Sequence, residues 1–246
     1  MNAWDDEGII LSVRPHGETG AVVSLLTRDH GRAMGYVYGA VSARTRGIIE
    51  LGNTVAARWS AKSSDQLGTF TLEQEKSCLS AVLGDPVKLT ALQSACALAD
   101  KVLPEREVHS GVFEGLRALL MSFDTEVWAP TYIYWELGLL REIGFGLDLA
   151  TCAVTDTVDD LVYVSPKSGR AVSRAAAGVY KDKMLNLPPF LRGSGGFGDE
   201  DILNGLRLTG HFLLHRVFSQ SNTNLPDARL RLEEKFNTSP RTCSGA

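Results

Sequence analysis

The sequence predicts an α+β fold: a small N-terminal five-stranded β-barrel, then an α-helical domain that carries a small β-hairpin. Three observations predict it. Residues 8–77 break into short β-rich segments that alternate with period two and are separated by Gly- and Pro-containing turns. From Gly84-Asp85-Pro86 onward, apolar residues recur at helical spacing. Near residues 161–173, two β-rich runs flank a Pro-Lys-Ser-Gly turn and interrupt the helices.

The strands follow in order. Residues 8–14 (GIILSVR) form the first, ending at Pro15, and residues 20–27 (GAVVSLLT) form the second, with PHGET as the turn between them. Arg28-Asp29-His30-Gly31 is a tight connection in which Gly31 suits a positive φ. Residues 33–39 (AMGYVYG) form the third strand, with Tyr36 and Tyr38 on one face. Residues 54–62 alternate, with Val55, Ala57 and Trp59 on one side and Ala56, Arg58 and Ser60 on the other. In residues 69–75, Phe70 and Leu72 oppose Thr69, Thr71 and Glu73. Five short strands so closely spaced suggest a closed or nearly closed barrel. The longer segment AVSARTRGIIELGN between strands three and four is of the kind that bridges these strands in an OB-type barrel.

Asp85 is an N-cap and Pro86 a first helical position, and Leu89, Leu92, Cys96, Ala99 and Leu103 then keep helical register until Pro104. Residues 112–123 form a second helix, and residues 127–145, apolar nearly all round, form a third that must lie in a core. After the hairpin, a short Ala-rich helix follows Ser173, a long helix spans residues 199–220, and Pro226 opens a last helix through Phe236. The expected domains are residues 1–80 (barrel) and 81–240 (helical, with the hairpin region at 147–178), and a flexible tail at 241–246.

A chain of 246 residues with 44% hydrophobic and 22% charged residues can bury a sizeable core. No run of apolar residues is long enough for a membrane span, and the acidic start MNAWDDEG is unlike a secretory signal. Cys78, Cys96, Cys152 and Cys243 form no CxxC pair and read as free thiols of a reducing cytoplasm. The chain is slightly acidic, with 25 basic and 29 acidic residues, yet residues 27–62 hold six bases (Arg28, Arg32, Arg44, Arg46, Arg58, Lys62) against two acids (Asp29, Glu50). A local cationic surplus on small strands fits a surface that meets a polyanion. Tyr36, Tyr38 and Trp59 are interleaved with these bases; a barrel this small needs large side chains inside, so all three read as core before contact, with at most one of them as a stacking platform for a base. A second basic group, Lys167, Arg170, Arg174, Lys181 and Lys183, is opposed in sequence by Asp182.

Other motifs fail on context. Gly193–Gly198 satisfies GxGxxG, but PPFLR precedes it and Asp199, Glu200 and Asp201 follow, an arrangement hostile to a pyrophosphate. His211 and His215 have a two-histidine metal spacing without the neighbouring Glu or a third ligand. Asp156, Asp159 and Asp160 sit in a polar turn without a nucleophile. No GxSxG or Walker A pattern is present, so catalysis is not expected.

Several stretches together carry a resemblance: GIILSVRPHGET at 8–19, RDHGR at 28–32, GAVSARTRGIIELGN at 39–53, the run from Arg141 to Arg174, and LPDARLRLEEKF at 225–236. The chain resembles the RecO family of bacterial recombination mediators over most of its length, and its alphaproteobacterial members most. The resemblance implies an N-terminal OB-fold and a helical C-terminal domain. It implies binding of single- and double-stranded DNA, annealing of complementary strands, and loading of RecA onto strands coated by single-strand-binding protein. The implied partners are RecR and the C-terminal tail of single-strand-binding protein, with RecF as a further candidate, in the cytoplasm at the nucleoid. Arg32, Arg44 and Arg46 match the family's DNA-contacting positions; Arg14 adds to them, and Arg58 and Lys62 complete the expected set. Lys167, Arg170 and Arg174 are the second candidate patch. Some members hold zinc on four cysteines, the first corresponding to Cys152. Here Thr155 stands at the CxxC partner position and residues 171–174 contain no cysteine, so a metal-free hairpin is expected.

Overall fold

In the computed structural model, which describes residues 2–63 and 66–238, the chain forms two compact units, residues 1–125 and 126–246. The tail at 241–246 and Cys243 lie outside the described residues. The change from strand to helix near residue 80, where the domain division was expected, falls inside the first unit.

Five strands close that unit's barrel in the order β1-β2-β3-β5-β4: β1 (Asn2–His16), β2 (Gly20–Thr27), β3 (Gly31–Val37), β4 (Thr54–Ala61) and β5 (Gly68–Lys76). All five expected strands are present. The first is longer than expected, because residues 2–9 pair with β4 while residues 8–16 pair with β2. Acidic Asp5, Asp6 and Glu7 hide this half of the strand from a hydropathy reading.

The barrel closes where β3 and β5 run parallel, at Gly35 opposite Gly68 and Tyr36 opposite Thr69. Both glycines are there for close approach. A Cβ on Gly35 would lie 2.5 Å from the Phe70 ring, and one on Gly68 would lie 2.1 Å from the Trp59 indole. The two aromatics fill the interior with Ile10, Val23, Leu25, Val37, Val55 and Ala57. Trp59 is therefore core, as expected, and its indole N–H donates to the Met34 carbonyl at 3.1 Å.

Between β3 and β4 lies a short helix, α1 (Ala43–Ile48). The Ser42 hydroxyl caps it by accepting from Thr45 N–H, and the Asn53 amide donates to the carbonyls of Gly47 and Ile48 at its other end. The unit continues with α2 (Leu79–Val82), α3 (Pro86–Val102) and α4 (Ser110–Ser122). Asp85 caps α3 as expected, accepting from Val87 and Lys88 N–H. α3 packs on the outside of β1 and β2, where the Cys96 thiol donates to the Ile10 carbonyl.

The second unit begins with α5 (Trp128–Glu142). The expected hairpin is β6 (Leu161–Val164) with β7 (Ala171–Ser173), and a two-residue strand, β8 (Leu185–Asn186), adds to β6. That third strand is too short to register as a pattern. α6 (Arg174–Ala177) is the expected Ala-rich helix, capped by the Ser173 hydroxyl. The expected helix at 199–220 is α7 (Asp199–Phe212) only as far as Phe212, after which Leu213–Val217 widens into a π-turn and Phe218–Ser221 tightens into a 3₁₀ turn. α8 (Asp227–Thr238) ends the described chain.

A fully buried ion pair joins α5, α7 and α8. Arg229 Nε donates to Glu136 Oε1 at 2.6 Å and Nη2 to Oε2 at 3.1 Å, while Nη2 also reaches the Leu206 carbonyl at 2.6 Å. The hydroxyls of Tyr132 and Thr209 donate to the same carboxylate. Burial opposes the guanidinium charge, but Glu136 outweighs it and holds Arg229 protonated above its ordinary range.

Two outcomes follow from these packing constraints. Gly68→Ala forces Trp59 out of its seat and lowers unfolding free energy by about 1–3 kcal/mol, read by urea denaturation with a shift in tryptophan emission. Glu136→Gln leaves the buried Arg229 with only the part-exposed Glu233, 3.3 Å from Nη1, as counter-charge and destabilises by about 3–5 kcal/mol, whereas Glu136→Leu with Arg229→Met loses less. A double variant no more stable than Glu136→Gln would contradict this account.

Candidate nucleic-acid interface

The expected basic residues divide by whether the fold already uses them. Arg32 is used. Its side chain is 15% exposed, Nε donates to the Leu103 carbonyl at 2.8 Å, and Nη1 lies 3.5 Å from Asp100. With Arg106 N–H bonded to the Arg32 carbonyl, it ties β3 to the segment after α3. Arg28 is used in the same way, 2.5 Å from Glu7, 3.5 Å from Glu114 and over the Phe113 ring. Arg58 faces solvent opposite Asp5 at 3.7 Å. Lys62 is exposed just past β4, in the connection to β5.

Arg14, Arg44 and Arg46 differ. All three are exposed, and among the described residues none pairs with a carboxylate. Arg44 and Arg46 stand on α1, and Arg46 Nη2 donates to the Val41 carbonyl at 3.2 Å. Arg14 stands on β1 with Nη2 against the Met34 sulfur at 3.6 Å, a weak acceptor that leaves its other donors outward. These three cations retain donors for an external phosphate.

The tyrosines are a correction. Ala33, Gly35 and Val37 point into the barrel, so Arg32, Met34 and Tyr36 point out, and Tyr38 just beyond β3 is 72% exposed. Tyr36 and Tyr38 meet edge to face at 4.7 Å. Neither is core, because small inward residues already make room for Trp59 and Phe70. That parity was visible in the sequence, in the small residues alternating with the tyrosines.

Two further features had no sequence signal. At one end of the barrel, Trp4 stacks on His30 at 4.3 Å and lies parallel to Trp59 at 5.6 Å, with Arg106 across the Trp59 ring. Asp6 fixes this corner by accepting from the Asp29 and His30 N–H groups and sitting 2.8 Å from His30 Nδ1. Elsewhere, a mostly apolar groove of about 570 Å³ runs between α1, α3 and β1, lined by Leu11, Val13, Val41 and Ile49, with two bases (Arg46, Lys101) and two acids (Glu50, Asp100) as its charges.

The second basic patch is more nearly neutral than its sequence suggests. Arg170 lies 3.3 Å from Asp148 and 3.6 Å from Asp156, and Arg174 lies 3.3 Å from Asp160. Asp182 is thus not the chief opposing acid. Lys167 is exposed, and its carbonyl accepts from Arg216. At the GxGxxG loop, the Asp201 carboxylate takes the Gly198 N–H, so the helix end is capped by its own chain. His211 and His215 lie 4.4 Å apart ring to ring, and burial followed by His215 and Arg216 holds the His211 pKa below the ordinary value.

Family models described as Recombination protein O N terminal and Recombination protein O C terminal match residues 1–76 and 83–224. The chain is 50% identical over 235 residues to the DNA repair protein RecO of Rhodospirillum centenum, spanning 95% of this chain and 94% of the relative. It is 46% identical over 240 residues to that of Caulobacter sp. (97% and 99%), and 45% identical over 231 residues to that of Nitrobacter hamburgensis (92% and 91%). The chain belongs to the RecO family. Its role is therefore in DNA repair and recombination, and its closed N-terminal barrel is the family's OB-fold. Among the described residues, no helix is long and apolar enough to cross a membrane.

In this RecO chain, Cys152 is the position that the resemblance matches to the first of four zinc-binding cysteines. Cys152 is buried with the Ser173 N–H at 3.4 Å and the Ser173 hydroxyl at 3.6 Å from its sulfur, and no group of three metal-binding side chains gathers among the described residues. One thiolate, two hydroxyl residues and backbone N–H groups do not fit a structural zinc ion. The turn nonetheless keeps donors aimed at sulfur. Burial pushes the Cys152 thiol up, but the Thr155 hydroxyl and the N–H groups of Ser173, Val154 and Thr155 outweigh it and bring the pKa to about 6. Cys78, by contrast, is pushed up to about 11 by burial. Ultraviolet thiolate absorbance is therefore expected to show a step near pH 6 that Cys152→Ala abolishes. The folded pKa lies below the ordinary value of 9.0, so the thiolate's stabilisation is complete above about pH 9 and is lost as pH falls through about 6. A first thiol step above pH 8 would contradict this assignment.

Proposed function

We propose that this RecO protein is a non-catalytic mediator that binds single- and double-stranded DNA through the barrel, without reading sequence. In this reading it anneals complementary strands and, with RecR, helps load RecA onto strands coated by single-strand-binding protein. It works in the cytoplasm, at the nucleoid, with RecF as a further candidate partner. Family membership supports the setting. The observation that carries the binding mode is the set of exposed, unpaired arginines, Arg14, Arg44 and Arg46, on the face of β1 and on the helix after β3. OB-folds bind oligonucleotides across strands two and three and through the β1–β2 and β4–β5 loops. Arg14 comes just before the first of these loops and Lys62 lies in the second. Residues 1–80 as the DNA-binding domain and 81–240 as a helical domain belong to the same proposal.

Flexible arginines on a six-residue helix give phosphate contact without base-edge geometry, so affinity falls steeply with salt. A second reading is an adaptor that binds partner proteins, with DNA contact secondary. The apolar groove favours it: its apolar walls would suit apolar side chains of a partner peptide, while its two bases are balanced by Glu50 and Asp100.

Arg44→Ala with Arg46→Ala is expected to make the slope of log affinity against log salt shallower by about one to two. An unchanged slope would remove α1 from the interface. The acidic C-terminal peptide of single-strand-binding protein serves as the parallel ligand. Peptide binding by a protein that ignores DNA at low salt would favour the adaptor.

A further inference from the structure

The outer face of the barrel carries an aromatic row that phosphate binding does not need. His16, Tyr36 and Tyr38 follow one another, with His16 and Tyr36 rings 6.0 Å apart at 85° and Tyr36 and Tyr38 rings 4.7 Å apart at 75°. Tyr36 is fixed in place. It lies over Gly20, where a Cβ would come within 1.8 Å of its hydroxyl, and that hydroxyl reaches toward the His16 carbonyl at 3.5 Å. Tyr38 leans edge to face on this support and is 72% exposed. A large aromatic this open is either an isolated surface residue or a contact. Three features argue for contact: the supporting rings, the unpaired Arg14 on the adjoining face, and Arg44 and Arg46 a few residues further along the chain. The row also lies on β3 and at the start of the β1–β2 loop, within the oligonucleotide-binding side of OB-folds.

We propose that Tyr38, braced by Tyr36 and His16, is a stacking platform for a nucleobase of single-stranded DNA. The proposal rests on the DNA-binding reading above and deepens it. Cations hold the backbone of either form of DNA, while the platform adds affinity only where a base is unpaired and can turn its face to the ring. The same surface then grips a single strand more tightly than a duplex, and the tyrosine ring is tolerant of sequence because every base has a π-face.

The test uses the full-length chain and three ligands by fluorescence anisotropy: an oligothymidylate, an abasic strand of equal length, and a duplex. Tyr38→Ala is expected to weaken oligothymidylate binding by about fivefold to a hundredfold. Its affinity for the abasic strand and the duplex is expected to stay that of the unmodified protein, and Tyr38→Phe to bind all three normally. Unchanged oligothymidylate binding by Tyr38→Ala would overturn the platform while leaving the DNA-binding reading intact. Equal losses on all three ligands would also overturn it, by assigning Tyr38 to structure or charge. If the unmodified protein binds none of the three, the DNA-binding reading fails and the platform fails with it.

Discussion

The barrel depends on one closure, the parallel pairing of β3 with β5 at Gly35 and Gly68. An interior of five short strands has room for two large rings only if the backbone beside them carries no Cβ. Phe70 lies against one glycine and Trp59 against the other, so closure and core filling are a single constraint. The consequence reaches the surface. With Ala33, Gly35 and Val37 turned inward as small or slim residues, the bulky members of β3 have to face out. Tyr36 faces out, half-buried, and Tyr38 is exposed because Trp59 and Phe70 fill the interior.

The arginines show why a charge count does not describe an electrostatic surface. Arg229 is sealed in the second unit by Glu136, and Arg32 and Arg28 brace the first through carboxylates and a carbonyl. Arg170 and Arg174 are matched by Asp148, Asp156 and Asp160. Arg14, Arg44 and Arg46, on and just after the first three strands, are exposed and, among the described residues, meet no carboxylate. A net charge of −4 is compatible with polyanion binding because local unpaired cations, at a separation short against the screening length, set the field a phosphate meets.

Much of this was legible in the sequence. Strand alternation located all five barrel strands and put Val55, Ala57 and Trp59 inside, and the Asp85-Pro86 cap fixed the start of α3. The acidic half of β1 was missed because its partner is β4, far along the chain, and pairing there overrides weak local propensity. The tyrosines were misread because barrel size was weighed without asking which parity of β3 was small. Arg32 was legible as basic but not as bonded, since Leu103 and Asp100 meet it only through packing of the segment after α3. The same holds for Arg170: its acids are as visible as its own charge, but only the fold of the turn around Cys152 brings them within reach.

The turn around Cys152 shows how local donors hold a buried sulfur. Despite burial, the Thr155 hydroxyl and N–H groups directed at it keep the Cys152 pKa low. The Ser173 N–H also joins β7 to this turn through the sulfur. Strand pairing adds to it: β6 is bonded on both edges, by β7 and by the two residues of β8. The Arg170–Asp148 ion pair and the bridge between the same two residues tie the preceding loop to this sheet. Loosening β8 or the Asp148 loop therefore weakens the sheet directly, since β8 bonds its central strand β6 and Asp148 pairs with Arg170 just before β7.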